Sequence, residues 1–340
     1  MFRSRFKWGA TLAAGALALA GCGGGSGGDS GSGSSGQKVQ LSLVAYSTPQ
    51  EAYEQIIKAF QQTPEGQNIT FTKSFGGSGD QSRAVESGLR ADVVAFSLEP
   101  DMTRLVKAKI VAEDWSKDQY NGMITESVVV IGTRKDNPKG LSTWQDLVKP
   151  DVEVITPNPF TSGGARWNVM AAYGAASRKG AAEQDGVDYL NSLFANVPVQ
   201  DDSARKSLQT FSSGKGDAIL AYENEAIFAQ QKNVALDYVV PDETILIENP
   251  VAVTATSEHP AEAKAFLDFL RTPKAQEIFV KNGYRPTADQ VPGADKFSAP
   301  SGLFTIKDFG GWSEVTKKFF DPKGSIMADV ERKLGVSVEQ

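Results

Sequence analysis

The chain has 340 residues, 40% hydrophobic and 22% charged, with 35 basic side chains against 41 acidic ones and a formal charge of −6 at pH 7. That length buries most of its unfolded surface and ordinarily divides into two domains, while the acidic balance argues against a nucleic-acid partner. With one cysteine and one histidine, neither a disulfide framework nor a structural zinc site is expected, and nothing in the composition calls for a cofactor.

Arg3, Arg5 and Lys7 precede a short apolar run from Ala10 to Ala20, and Leu19-Ala20-Gly21-Cys22 sets small residues ahead of the cysteine. The run falls short of the roughly 20 residues that a permanent membrane helix needs, so residues 1–21 read as a cleaved signal peptide. The stretch resembles a lipoprotein signal, in which Cys22 becomes the lipidated first residue of the exported protein. Loss of the three basic residues takes the formal charge from −6 to −9. Residues 23–36, GGGSGGDSGSGSSG, hold nothing apolar to bury and read as a flexible tether of about 20 Å. Gly31, Gly33 and Gly36 match G-x-G-x-x-G, but no strand precedes them, and the match is discarded.

From there strands and helices alternate. Leu41 to Tyr46 predicts a strand, and Thr48-Pro49-Gln50-Glu51 predicts a cap and helix start, with Tyr53, Ile56, Ile57 and Phe60 at helical spacing. Ile69 to Phe75 predicts a strand, Ser78-Gly79-Asp80-Gln81 a capping box, Asp92 to Phe96 a third strand, and Met102 to Val106 a helix. Further strands are expected at 127–133, 152–156, 197–199, 218–222, 236–240 and 250–255. Helices are expected at 163–177, 182–194, 204–211, 223–231, 260–270 and 273–281. The alternation predicts α/β architecture with largely parallel sheets.

Five places share one design, a strand end followed by a polar or glycine-rich turn that opens a helix: Ser47, Gly76 to Ser78, Ser162 to Gly164, Ser203 to Arg205, and Tyr222. Ligands of open α/β sheets bind outside the carboxyl ends of strands. A helix start offers unpaired N–H groups and the positive end of the helix dipole. Several such starts facing one crevice make an anion site without a cationic side chain, which suits a net-acidic protein. Taken singly, Ser78 and Ser162 read as helix caps, Gly163-Gly164 as a turn, Arg83 and Glu86 as solvated charges, and Arg166 either as a surface or interdomain ion-pair residue or as a side chain that reaches an anion.

The words around these turns are distinctive in combination: GGSGDQS at 76–82, ADVV at 91–94, ITPNP at 155–159, SGGARWN at 162–168, YENEA at 222–226 and FGGW at 309–312. In that order, over nearly the whole mature chain, they resemble the sulfate-binding proteins of ABC importers. The resemblance implies a two-lobed type II periplasmic-binding-protein fold with a ligand cleft between the lobes. Lobe I would comprise 37–124 plus 250–340, lobe II 125–249, with hinge crossings near 125–133 and 248–255. It implies a non-enzymatic function: capture of sulfate outside the cytoplasm and delivery to an ABC transporter permease, by a monomer that is lipid-anchored to the outer face of the cell membrane or in the periplasm. The matching ligand positions are the backbone at Ser47, the Ser78 hydroxyl, the amides of Ser162, Gly163, Gly164 and Ala204, and the side chain of Tyr222. Two positions depart from the family's best-known members, which carry aspartate at Ser47 and tryptophan at Tyr222.

Sulfate is fully ionised at neutral pH and only accepts hydrogen bonds, whereas phosphate keeps a proton that wants an acceptor. A donor-only pocket therefore prefers sulfate by about 1–3 kcal/mol per mispaired group, unless Glu223 or Glu225 enters it. Alternatives are a binding protein for thiosulfate, molybdate or phosphate, and an anchored hydrolase. The hydrolase lacks support, because His259 is the only histidine and neither G-x-S-x-G nor H-E-x-x-H occurs.

Overall fold

The computed structural model describes residues 38–338, and residues Gln37–Gln340 form one compact unit. The expected signal, the lipidated Cys22 and the tether all lie outside the described residues. In chain order the elements are β1 (Val39–Tyr46), α1 (Gln50–Phe60), β2 (Ile69–Gly76), α2 (Ser78–Glu86), β3 (Val93–Ala95), α3 (Glu99–Lys107) and β4 (Met123–Arg134). Next come β5 (Val154–Ile155), α4 (Gly163–Ala176), α5 (Glu183–Ala195), α6 (Ala204–Ser212), β6 (Ala218–Tyr222), α7 (Glu223–Gln231) and β7 (Leu236–Val239). The chain continues with β8 (Leu246–Val253), α8 (Pro260–Leu270), α9 (Pro273–Lys281), β9 (Arg285–Pro286), α10 (Gly311–Phe319) and α11 (Ile326–Lys333).

The strands run β2-β1-β3-β8-β4-β6-β5, with β7 and β9 also paired to β4. Three pairings are parallel and five antiparallel, so the sheets are mixed rather than largely parallel as expected. The reason is local. Strands β4 and β8 carry the chain between the two halves and lie antiparallel to each other and to their other neighbours. The expected strand at 197–199 does not form.

Alternation along the strands builds a core on each face. In the first half, Leu41, Leu43 and Ala45 of β1 pack against Ile56 and Phe60 of α1, Phe266 of α8 and Phe279 of α9. Val44 turns the other way onto Val85, Met102 and Leu105. In the second half, Val128 and Val130 of β4 join Phe211, Ile219 and Ala229, and Val129 and Ile131 face Trp167, Met170 and Leu190. Helix α4 is buried on nearly every side, as a helix apolar all round must be.

The C-terminal segment departs from expectation. Phe304, Trp312, Val315, Phe319, Met327 and Val330 share one core with Trp167, Tyr173 and Leu193, and Trp312 meets Trp167 edge to face at 4.7 Å. Residues from about 304 onward thus pack with the second half, and not with lobe I, where the resemblance places 250–340 as a block. The aromatic side chains of α10 find their apolar partners on α4 and α5.

Candidate anion-binding site

The carboxyl ends of β1, β2 and β3 meet those of β5 and β6 across a small cavity of about 10 Å³, far below the 300–1,000 Å³ usual for drug-sized ligands. All seven ligand-binding residues expected from the sequence line it: Ser47 and Ser78 from one half, and Ser162, Gly163, Gly164, Ala204 and Tyr222 from the other. Tyr46, Thr48, Gly76, Gly77 and Ser97 complete the wall. No carboxylate and no cationic side chain is among these residues.

The backbone supplies the donors. Gly163 and Gly164 are the first two residues of α4, Ser78 the first of α2 and Ala204 the first of α6, so their N–H groups precede any intrahelical partner. None of these amides, nor that of Ser47, finds an acceptor among the described residues. Three helix dipoles therefore direct their positive ends at one point.

Two expected donor atoms are otherwise engaged. The Ser78 hydroxyl donates to Asp101 Oδ2 at 2.6 Å and accepts the Ser97 N–H at 2.9 Å. Its single proton is thus committed to a buried carboxylate, and Ser78 faces the cavity through its amide instead. The Ser162 amide donates to the Asn158 carbonyl at 2.9 Å, leaving the Ser162 hydroxyl, which does not cap α4, as that residue's donor. The capping box read at 78–81 is likewise absent, because Gly77 is the N-cap and the Ser78 hydroxyl is drawn away to Asp101. At α1 the N-cap is Pro49 rather than Thr48, whose hydroxyl instead bonds the Tyr284 hydroxyl at 2.9 Å.

Ser97 was missed. Its hydroxyl lies 2.6 Å from the Tyr222 hydroxyl, and its carbonyl accepts from Trp167 Nε1 at 2.9 Å and Asn249 Nδ2 at 3.2 Å. The signal was available, since Ser97 follows β3 as the other site residues follow their strands. Burial pushes the Tyr222 phenol well above its ordinary range, so it stays protonated and able to donate. A second bridge comes from Arg205, which donates to the Thr48 carbonyl at 2.8 Å while forming a bidentate pair with Glu225 at 2.8 and 2.9 Å.

The charged residues stand behind the wall. Glu225 is taken by Arg205, and Glu223 by Arg285 at 2.8 Å, so neither enters the cavity. Arg166 donates its Nε to the Pro159 carbonyl at 2.8 Å and does not line the cavity. Burial lowers its guanidinium to about 10, against the opposing pull of Asp101. Burial raises Asp101, which Arg166 and the Ser78 hydrogen bond oppose. Other parts of the distinctive words are scaffold: Asp92 accepts the Ser42 N–H and the Ser257 hydroxyl, and Asn168 ties Thr156 to the Leu220 carbonyl. His259 stands at the start of α8, outside the cavity wall.

Two half-cores joined by crossing strands, with a donor-lined cavity between them, are the architecture of a solute-binding protein of the periplasmic-binding type. The comparisons agree: the sequence model described as bacterial extracellular solute-binding protein matches residues 41–285, and the chain belongs to that family. It is 42% identical to the sulfate-binding protein of Synechococcus elongatus, over 95% of each chain. It is 34% identical to the thiosulfate-binding protein of Escherichia coli, over 85% of this chain and 90% of that one. The solved structure of the sulfate-binding protein SubI from Mycobacterium tuberculosis superposes with a TM-score of 0.81 at 42% identity, covering 83% of this chain and all of that one.

Proposed function

We propose that this chain captures sulfate outside the cytoplasm and passes it to an ABC transporter permease, anchored to the membrane through lipid on Cys22. The observation that carries the reading is the chemistry of the cavity wall: amide and hydroxyl groups from both halves, with no carboxylate or cation among the residues that form it. Such a wall suits an anion that accepts hydrogen bonds at every oxygen. Hydrogen phosphate would leave its own proton without a carboxylate acceptor, at about 1–3 kcal/mol. The sulfate- and thiosulfate-binding relatives support the same ligand class.

In this reading the ligand contacts are shared. Ser47 and Ser78 belong to one lobe, and Ser162, Gly163, Gly164, Ala204 and Tyr222 to the other. Strands β4 and β8 act as the hinge, so sulfate favours the closed form by its differential affinity. Calorimetric titration of residues 37–340, dialysed free of anion, tests the ligand against sulfate, thiosulfate, molybdate and phosphate. One-site sulfate binding with phosphate at least about a hundredfold weaker (roughly 2.7 kcal/mol) is expected. No heat with any of the four overturns the proposal. X-ray scattering with and without sulfate tests the motion, which an unchanged radius of gyration on confirmed binding would exclude.

A further inference from the structure

A second and larger cavity, of about 640 Å³, opens between α3 and α10 and shares no wall residue with the first. Its size falls within the range of organic-ligand pockets. Four cations, Arg104, Lys107, Arg166 and Lys317, face three carboxylates, Glu86, Glu99 and Asp321. The guanidinium of Arg166 is the central feature. Its residue is only 7% exposed, its Nε is satisfied by Pro159, and neither Nη1 nor Nη2 has a hydrogen-bond partner among the described residues. Lys107 and Lys317 make no ion pair among the described residues, and Arg104 reaches Glu86 only at 3.5 Å. The wall holds two further unsatisfied groups: Arg104 Nε and Thr316 Oγ1 are buried without a partner. Native interiors rarely leave such atoms unpaired.

Opposite the charges the wall is apolar. Trp312, Phe320, Pro100 and Pro322 line it, with the Phe320 ring 5.0 Å from the Arg166 guanidinium carbon. A planar guanidinium fork with both Nη groups open matches the two oxygens of a carboxylate or sulfonate. We propose that this cavity is a second binding site, for an organic monoanion with one carboxylate or sulfonate head on a small apolar body. The head pairs with Arg166 and Arg104, and the body rests on Trp312 and Phe320. An inorganic ion would use only the charged end.

Residues 37–340 saturated with sulfate, so that the first cavity is filled, are titrated with 2-phenylethanesulfonate, 3-phenylpropanoate and methanesulfonate, by calorimetry and by thermal shift. At least one aromatic probe is expected to bind with a Kd on the order of 1 mM or tighter, and the stronger of the two identifies the head group. Methanesulfonate is expected to bind at least about tenfold more weakly. Arg104→Gln should weaken the aromatic probe at least about tenfold while sulfate affinity, measured separately, stays within about twofold. Lys317→Gln, on the exposed side of α10, serves if that variant folds poorly, with a smaller loss of about threefold or more. Absence of binding by both aromatic probes, equal binding of methanesulfonate, or undiminished probe binding in the folded variants overturns the proposal. Failure of the sulfate titration itself would count against the first site only.

Discussion

Gly163 opens α4 with its Cα pressed against the opposite half, and replacing it by alanine should separate lobe closure from folding. A methyl group there would come within 2.6 Å of Ser97 Cβ and 3.0 Å of Leu98 Cγ, and would also meet the Ser97 hydroxyl. Both residues sit between β3 and α3, on the far side of the cleft. The backbone at Gly163 is not left-handed, so alanine is tolerated locally, and in a helix it is worth up to about 1 kcal/mol over glycine. Overpacking of a closed contact costs about 1–3 kcal/mol, which opening the cleft would relieve. The clash therefore falls on the closed, liganded form alone. Gly163→Ala should leave the ligand-free melting temperature unchanged or slightly higher, while sulfate binds roughly 5- to 150-fold more weakly and its stabilising effect shrinks to match. Gly164→Ala makes a useful contrast: its methyl meets Ala204 Cβ at 3.2 Å within the same half, so its effect should be smaller. Calorimetry and thermal unfolding with and without sulfate provide the two readings. Wild-type affinity in Gly163→Ala, or a fall in ligand-free stability as large as the loss of binding, would refute the reasoning.

Tyr222→Phe removes the hydroxyl that meets Ser97 at 2.6 Å, so sulfate affinity should fall about 5- to 30-fold, for 1–2 kcal/mol of hydrogen bonding. Its ligand-free stability should barely change, and unchanged affinity would remove the phenol from the site. Glu225→Gln leaves the Arg205 guanidinium, paired at 2.8 Å, without its countercharge. A loss of about 3–5 kcal/mol in urea unfolding is expected, as for a broken buried pair, and a loss below about 1 kcal/mol would show the pair to be dispensable. Glu126 on β4 lies opposite Glu248 on β8. Burial, reinforced by the Glu248 charge and opposed by Arg285, pushes its carboxyl up to about 7. The native state then holds a proton that the unfolded chain has lost, so stability should fall as pH rises from about 4.5 to 7 and level off above. The drop is at most about 3 kcal/mol, and about 1–2 after solvent screening. Glu126→Gln should flatten that slope in pH-dependent urea melts, and an unaltered slope would assign it elsewhere.

The cavity was legible because its residues obey a local rule: a strand ends, a small polar residue turns the chain, and a helix begins. Ser47, Gly163 and Ala204 could be placed without knowing where the chain goes next, and Ser97 follows the same rule. What the sequence did not carry was the competition for each proton. Ser78 looks like a hydroxyl donor until Asp101, 23 residues on, accepts its hydrogen bond. The Ser162 amide looks free until the turn at Asn158 closes on it. The mixed sheet was hidden for a related reason, since β-branched runs such as 127–133 state strand but not direction. The C-terminal helices were missed because no element was read beyond Lys281, although Trp312, Val315 and Phe319 of α10 are spaced at helical intervals.

A doubly charged anion held by a net-acidic protein needs a source of positive potential, and the arrangement of ion pairs indicates where it arises. Two arginines behind the cavity wall are neutralised: Arg205 by Glu225 and Arg285 by Glu223, each within 3 Å. They hold the N-terminal turns of α6 and α7 in place rather than facing the ligand. Arg166 is turned to the Pro159 carbonyl, with Asp101 the largest charge acting on it. The potential inside the cavity therefore comes from the N–H groups of α2, α4 and α6, which are fixed in direction by the helices behind them. That distinction decides selectivity. A lysine or arginine in the wall would attract sulfate and hydrogen phosphate alike, because Coulomb attraction depends on charge and distance and not on where a proton sits. Amides oriented at each oxygen offer no acceptor to a proton that the ligand carries. They convert the protonation state of the ligand, rather than its charge, into the quantity that is recognised.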